Sequence, residues 1–215
     1  MNKPFKDRET AGRQLAQKLI QYKGKAAIVL GIPRGGVPVA AEIANALNCP
    51  LDVLLCKKIG HPAQKEYAIG AVSLTDSYLI PHENVDPVYI AEEIKIVRQR
   101  LEEMKKRFSV NNHFSVAQKT VILADDGMAT GRTMIAAIRL LRKSHPLKII
   151  LAIPVASGSA KQLILSEVDE LVLLYEPEWF TGVGAFYEDF EEVTDEEVIQ
   201  LLKQQHGQFN TASSN

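Results

Sequence analysis

Two adjacent aspartates, Asp125 and Asp126, lie between an apolar run and a loop rich in glycine and threonine. The apolar run, residues 121–124, is short and continuous, as in a buried parallel strand. The loop, residues 127–133, leads into a helical pattern that starts at Met134. A strand that ends in acids and turns into a helix places backbone N–H groups where a phosphate can bind, with carboxylates beside it. The stretch VILADDGMATGRT therefore predicts recognition of a ligand that carries phosphate and hydroxyl groups.

Acids at the end of a strand also occur simply as caps of the next helix, so the aspartate pair alone would be weak evidence. The pair becomes informative together with the loop, because Thr130, Gly131 and Thr133 supply hydroxyls and an adaptable backbone. The combination favours a phosphate site over a cap.

A second candidate anion loop follows the first predicted strand, residues 25–30, and reads Pro33-Arg34-Gly35-Gly36. Glycines let backbone N–H groups approach an anion closely, and an arginine adds charge-assisted donors. The alternative is a tight turn with an exposed arginine. A loop at the carboxyl end of a parallel strand lies where ligands collect, so both loops are expected at one edge of the sheet.

A basic segment follows the second predicted strand, residues 51–56, beginning with Lys57. From 57 to about 85 the helical and strand periodicities fail, and only short β-like pieces near 69–74 and 77–80 remain. A stretch of this length inside a compact domain predicts a β-excursion or a functional lid.

The elements that must position these loops alternate between strands and helices. Apolar runs at 147–155 and 168–174 predict two further strands. Helices are predicted from Arg8 to about Tyr22, at 39–47, from Asp86 to about Phe108, at 133–143, at 160–165 and from Thr194. This alternation predicts an α/β fold with right-handed crossovers and a parallel sheet. We expect one domain over residues 1–207, followed by a disordered polar tail at 208–215.

Composition limits the kinds of partner. The 215 residues include 25 basic and 26 acidic side chains, so no global charge favours nucleic acid or an anionic membrane. Two cysteines without metal or disulfide spacing favour a reducing compartment. No apolar run approaches the roughly 18 residues that span a bilayer, and we expect a cytoplasmic protein with neither membrane nor nucleic-acid partner.

Residues 122–133 resemble the signature of the type I phosphoribosyltransferases, in which apolar residues, two acids, two mainly apolar residues and a small threonine and glycine loop follow one another. Gly127 departs from this pattern, since an aliphatic residue is usual there. The resemblance implies the type I phosphoribosyltransferase fold, an α/β fold whose central parallel sheet is flanked by helices. It also implies a flexible β-lid at about 57–85 and a small C-terminal hood at about 176–190.

The resemblance implies a role for each part of the stretch. Asp125 and Asp126 would contact the ribose hydroxyls of phosphoribosyl pyrophosphate (PRPP) or a Mg2+ ion, through those hydroxyls or water. The 5-phosphate would bind to Ala129, Thr130, Gly131, Arg132 and Thr133. Hypoxanthine-guanine enzymes have an acid at the position of Ala129 that assists purine deprotonation, whereas adenine enzymes look like this chain. A general base is therefore not expected at this position.

The loop Pro33-Arg34-Gly35-Gly36 resembles the pyrophosphate loop of the xanthine and related enzymes, which often contains a strained or cis peptide, here expected between Pro33 and Arg34. Lys57 would join it in binding pyrophosphate. Arg34, Lys57, Asp125 and Asp126 are accordingly the expected catalytic residues.

Nearly the whole chain also resembles a narrower group of bacterial phosphoribosyltransferases of undefined substrate, through residues 5–16, 33–36, 58–71 and 180–190. By position in the hood, Trp179 or Phe180 would stack on the acceptor, and Glu188 or Asp189 would reach the metal. Packing within the hood is the alternative for these aromatic rings.

The function implied is Mg2+-dependent transfer of a 5-phosphoribosyl group from PRPP to a nitrogen nucleophile, a nucleobase or another heterocycle, with release of pyrophosphate. Such a pentosyltransferase would serve nucleotide metabolism, and the resemblance implies a homodimer. A non-catalytic sensor of PRPP or nucleotides on the same fold is the alternative. A dinucleotide-binding fold fits less well, because no GxGxxG follows the first strand.

Overall fold

The computed structural model describes residues 3–80, 85–108 and 115–212. The helices are α1 (Arg8–Lys18), α2 (Gly36–Leu47), α3 (Pro87–Arg107), α4 (Arg132–Arg142), α5 (Gly158–Ile164) and α6 (Asp195–Ala212). The strands are β1 (Ala27–Gly31), β2 (Leu51–Val53), β3 (Cys56–His61), β4 (Gln64–Ser73), β5 (Ser77–Leu79), β6 (Thr120–Ala124), β7 (Lys148–Val155) and β8 (Glu170–Tyr175). Short 3-10 helices lie at Ile20–Tyr22 and Val183–Phe186.

Five parallel strands form the central sheet, in the order β2-β1-β6-β7-β8. Its middle strands are buried on both faces because helices cover them, which explains their continuous apolar sequences. Gly31 pairs with Ala124, and Ala124 pairs with Ala152, so β1, β6 and β7 reach the carboxyl edge in register. The predicted α/β fold with a central parallel sheet is confirmed, and its loops meet at this edge.

The three strands β3, β4 and β5 form a separate antiparallel sheet that packs against α3 and α4. It corresponds to the predicted β-excursion. Its base belongs to the main core, because Ile59, Ile69 and Val72 are buried, whereas its tip at 62–65 is exposed. Part of the predicted lid, residues 81–84, lies outside the described residues.

Several predicted boundaries differ from the structure; for example, α1 ends at Lys18 rather than at about Tyr22, and α2 begins at Gly36 rather than at 39. The strand predicted at 51–56 ends at Val53, and Cys56 begins β3, so Lys57 lies inside β3 rather than directly after β2. The last helix, α6, continues to Ala212 and so includes residues 208–212 of the predicted tail; residues 213–215 lie outside the described part.

The predicted helix starts agree with the observed caps. The Asp7 carboxylate accepts from the Thr10 N–H at 2.6 Å, and the Asp86 carboxylate accepts from the Val88 N–H at 2.8 Å. Thr194 and Glu197 form the reciprocal bonds of a capping box at α6.

None of the helices in the described ranges combines the length and apolar character needed to cross a membrane.

Candidate active site

The acid pair is in direct contact with the predicted anion loop at residues 33–36. Asp125 and Asp126 leave the end of β6, and the Asp126 N–H donates to Asp125 Oδ1 at 2.9 Å. A Cβ atom on Gly36 would lie 3.0 Å from Asp125 Oδ1, and one on Gly35 would overlap the Asp126 carboxylate. Only glycines fit here, because the backbone of the loop lies against the two carboxylates.

The loop itself contains a cis peptide between Pro33 and Arg34, as the resemblance implies. The Arg34 guanidinium is 40% exposed and pairs with Glu192, and its Nη1 lies 3.6 Å from an Asp195 carboxylate oxygen. The side chain therefore contacts acids at the start of α6. An anion at the loop would compete with them for this guanidinium.

The predicted phosphate loop opens α4. Gly131 forms the N-cap with a φ of 71°, a left-handed conformation that glycine adopts at little cost. No side chain in the described part of the protein caps this helix end. Ala129, Thr130, Arg132 and Thr133 are exposed, and the first N–H groups of a helix have no partner within it, so this helix start is open to an anion.

The base of that loop is anchored to β7. The Met128 N–H donates to the Val155 carbonyl at 2.9 Å, and the Ser157 N–H donates to the Met128 carbonyl at 3.0 Å. The Ser157 hydroxyl donates to the Ala129 carbonyl at 2.6 Å and accepts from the Ala160 N–H at 3.1 Å. Ser157 therefore fixes the loop and caps α5 at the same time.

Burial controls the charge at the acid pair. Desolvation and the Asp126 carboxylate raise the pKa of Asp125 well above its ordinary value. Desolvation also raises the pKa of Asp126, but the Arg8 guanidinium acts in the opposite direction. Burial and the charge of Asp125 raise the pKa of the Cys56 thiol to about 12, so this cysteine is not a reactive thiolate.

Two adjacent carboxylates fit a hard divalent cation such as Mg2+, which is commonly held by one or two carboxylates together with substrate phosphates and water. Among the described residues no three His, Cys, Asp or Glu side chains are arranged around a common metal position. A cation at Asp125 and Asp126 would therefore take its remaining oxygens from a ligand and from water.

Three residues behind Asp126 were not predicted from the sequence. Arg8 Nε donates to Asp126 Oδ2 at 2.9 Å, and the Arg8 guanidinium carbon lies 3.8 Å from the centre of the Phe190 ring. The Tyr187 hydroxyl donates to the Asp126 carbonyl at 2.6 Å. The signal was present in the segments 5–16 and 180–190, which marked the narrower group but suggested no role for these side chains.

The predicted hood packs against the site. A Cβ atom on Gly127 would overlap Val183, so glycine replaces the usual aliphatic residue because the hood occupies that space. Phe180 packs on Phe186 with ring centres 5.5 Å apart, whereas Trp179 is 73% exposed.

A cavity of about 850 Å³ lies between the phosphate loop and the hood. Its wall includes Ala129, Thr130, Ser159, Phe180 and Thr181. Of the two residues predicted to stack on an acceptor, Phe180 lines this space. The cavity therefore brings one hood residue to the predicted phosphate loop.

Asp189 and Lys57 are held by other segments than the phosphate loop and the cavity beside it. Asp189 Oδ1 accepts from the Glu191 N–H at 3.2 Å, and the residue lines another cavity, of about 310 Å³, with Asp7 and Arg8. Lys57 is exposed on β3, next to Cys56, whose pKa responds to Asp125. The acid pair thus lies next to both predicted anion loops, and Asp189 lies on the cavity that Arg8 also lines.

Comparison with known proteins agrees with this geometry. A family model described as the phosphoribosyl transferase domain matches residues 4–191. Two Mycobacterium tuberculosis proteins, from strains CDC 1551 / Oshkosh and H37Rv and both named "Putative phosphoribosyl transferase", are 37% identical over 218 residues. The alignments cover 99% of this chain and 49% of each relative, so the chain spans about half the length of these relatives.

A solved structure is similar over nearly its whole length. The crystal structure of TT1426 from Thermus thermophilus shares 38% sequence identity with a TM-score of 0.86, and the match covers 94% of this chain and 98% of that one. The family match extends from the segment that contains Arg8 through both anion loops to the hood. The chain therefore belongs to the phosphoribosyl transferase domain family.

Proposed function

We propose that this protein transfers a 5-phosphoribosyl group from PRPP to a nitrogen nucleophile, with Mg2+ and release of pyrophosphate. The observation that carries the proposal is the contact of the acid pair with one anion loop, Gly35–Gly36, while a second anion loop opens α4 directly after it. PRPP has a phosphate at one end, a pyrophosphate at the other and two ribose hydroxyls between them.

The donor would bind across the carboxyl edge of the sheet. Its 5-phosphate would accept from the backbone N–H groups of residues 129–133 and gain from the dipole of α4. Its ribose hydroxyls would donate to Asp125 and Asp126. Its pyrophosphate would bind residues 33–36, with Arg34 leaving Glu192 and Asp195 for the more highly charged anion. Lys57 would add a further cation.

Bound Mg2+ would neutralise charge on the pyrophosphate leaving group. The acid pair would orient the ribose, and Arg34 would stabilise the charge that develops as the bond to pyrophosphate breaks. The acceptor would lie in the cavity beneath Phe180, close to Ala129. Because Ala129 carries no acid or base, an acceptor whose nitrogen attacks without deprotonation by this position is favoured.

The antiparallel sheet would exclude water from the activated sugar. Its residue Tyr67 contacts the phosphate loop already, since the Arg132 guanidinium lies 4.5 Å from the centre of the Tyr67 ring. Ligand binding at Arg132 and the position of the sheet are therefore coupled in this proposal.

Isothermal titration with PRPP in Mg2+, followed by a pyrophosphate-release assay over a panel of nucleobases and other nitrogen heterocycles, tests the function. Binding with acceptor-dependent release supports the transferase. Binding without release for every acceptor would instead favour a PRPP sensor, and no binding would refute PRPP as the donor. Binding isotherms of adenine and hypoxanthine in the presence of PRPP would then locate the acceptor preference.

A further inference from the structure

We propose that Arg8 is a positioning residue for Asp126, and that it acts as a permanent cation at the acid pair so that Mg2+ is directed to Asp125 and the bound ligand. The inference rests on the proposed function, because it assigns Asp125 and Asp126 to Mg2+ and PRPP. It goes beyond that function by adding a residue from α1 that neither anion loop contains.

Arg8 is held by three different contacts, and only 9% of its surface is exposed. Nε donates to Asp126 Oδ2 at 2.9 Å, and Nη1 donates to the Glu191 carbonyl at 2.7 Å. The flat face of the guanidinium stacks on Phe190 at 3.8 Å. Two edge contacts and one face contact determine the plane of the group, which an ammonium could not reproduce.

The Asp126 residue is in turn held on several sides. Arg8 occupies Oδ2, and the buried Tyr187 hydroxyl donates to its backbone carbonyl at 2.6 Å. The backbone of Gly35 fills the space in front of the carboxylate. The carboxylate therefore has a fixed direction relative to the pyrophosphate loop before any ligand binds.

The segments around Arg8 and Phe190 are tied together by backbone hydrogen bonds. The Phe5 N–H donates to the Phe186 carbonyl at 3.2 Å, and the Glu188 N–H donates back to the Phe5 carbonyl at 2.9 Å. The Asp189 N–H donates to the Lys6 carbonyl at 2.8 Å. The segments 5–16 and 180–190 are therefore joined to each other, and together they support Asp126.

Because of these contacts, the charges of the two carboxylates are compensated to different degrees. The charge of Asp126 is compensated by a guanidinium within hydrogen-bond distance, whereas Asp125 accepts from the Asp126 N–H and forms no ion pair with the described residues. A divalent cation would therefore gain more from Asp125. Removal of Arg8 would leave two uncompensated carboxylates side by side, and a divalent cation would relieve their mutual repulsion.

The test compares Arg8→Met and Arg8→Lys with the control Arg13→Met. Arg13 lies on the same helix, but it is exposed, and its guanidinium pairs with Glu42 at 3.3 Å. The first readout is the rise in melting temperature on adding Mg2+ without PRPP. The second is the affinity for PRPP at saturating Mg2+, measured by titration calorimetry.

We expect Mg2+ to raise the melting temperature of Arg8→Met by several degrees more than that of the unchanged protein or Arg13→Met. We expect the affinity of Arg8→Met for PRPP to fall by about tenfold, since the carboxylate loses its fixed direction. Arg8→Lys should lie between the two, because an ammonium restores charge but not the stacked fork.

Equal Mg2+ shifts and equal PRPP affinities in Arg8→Met and Arg13→Met would overturn the inference, even if Arg8→Met melted earlier. If Arg8→Met fails to fold, Arg8→Lys decides by the same comparison. The rise in melting temperature with Mg2+ is measured without PRPP. If the unchanged protein does not bind PRPP, the proposed function is refuted, but this rise still tests the role of Arg8 at the acid pair.

Discussion

At the scale of single residues, Asp125 and Asp126 are adjacent in the chain but have different neighbours. Asp126 has Arg8 and Tyr187 behind it, whereas Asp125 is half-buried beside Cys56 and Gly36. A local motif thus contains one carboxylate that the protein pairs in advance and one that a cation or ligand would compensate.

We predict that Asp126→Asn weakens binding of PRPP with Mg2+ by about tenfold or more, because a charged acceptor for a hydroxyl or metal is lost. The measurement is calorimetric titration of both proteins in the same Mg2+ concentration. Asp76→Asn is the control, since that carboxylate lies on the surface and pairs with Lys143. Equal affinity in the Asp126 variant and the unchanged protein would show that the assignment of this acid is wrong.

Gly35→Ala is predicted to abolish pyrophosphate binding, because the added methyl group would overlap the Asp126 carboxylate and force the loop to move. The measurement is titration with Mg-pyrophosphate. Gly12→Ala is a matched steric control, since its Cβ would lie 2.8 Å from the Val39 carbonyl between α1 and α2, away from the loop. Both variants should melt earlier, and a similar loss of pyrophosphate affinity in both would contradict a specific role of the loop.

At the scale of elements, α4 connects the phosphate loop with the antiparallel sheet. Arg132 at its start stacks on Tyr67, and Arg139 in its middle donates to the Tyr78 hydroxyl and to Glu167. The base of the predicted lid is therefore joined to the helix whose first turn is proposed to bind phosphate.

Arg132→Ala should reduce PRPP affinity by only about threefold, less than Asp126→Asn, because the backbone N–H groups and the dipole of α4 are unchanged. The same titrations measure this affinity, with ribose 5-phosphate as a second ligand that has the 5-phosphate but no pyrophosphate. A loss as large as that of Asp126→Asn would mean that the guanidinium, not the backbone, dominates the phosphate site.

Glu167→Gln should destabilise the protein at neutral pH but much less in acid. Hydrogen bonding to Arg139 lowers the pKa of Glu167 below its ordinary value of 4.5 despite partial burial. The charged pair therefore stabilises the fold fully above about pH 4.5, and this contribution is lost as pH falls through the lowered pKa.

Melting temperatures of Glu167→Gln and the unchanged protein between about pH 3 and pH 7 measure this difference. The control is Glu178→Gln, an exposed glutamate on the hood. A deficit that stays constant across this pH range would show that the ion pair with Arg139 is not its origin.

At the scale of the whole molecule, the features that could be predicted are those set by residues close together in the sequence. The strands of the parallel sheet are continuous apolar runs, and both predicted anion loops are local motifs, so the fold and the edge that holds the candidate site followed from pattern and resemblance. The break between β2 and β3 did not, because Leu54 and Leu55 continue the apolar run through it.

Contacts between distant segments could not be predicted from spacing. Arg8 and Asp126 are separated by 118 positions, and Gly127 departs from the family pattern because Val183 of the hood occupies the space. The extension of α6 to Ala212 could not be predicted either, because its last residues are mostly polar and show no helical spacing of apolar residues. The contact of Arg8 with Asp126 and the position of Val183 depend on how the first and last segments of the matched region pack together behind the acid pair.

A crystal structure of the protein with PRPP and Mg2+ tests the central proposal most directly. We predict the 5-phosphate at the first turn of α4, the ribose hydroxyls at Asp125 and Asp126, and the pyrophosphate at residues 33–36 with Arg34 released from Glu192. PRPP bound elsewhere, or bound with its pyrophosphate away from that loop, would contradict the account.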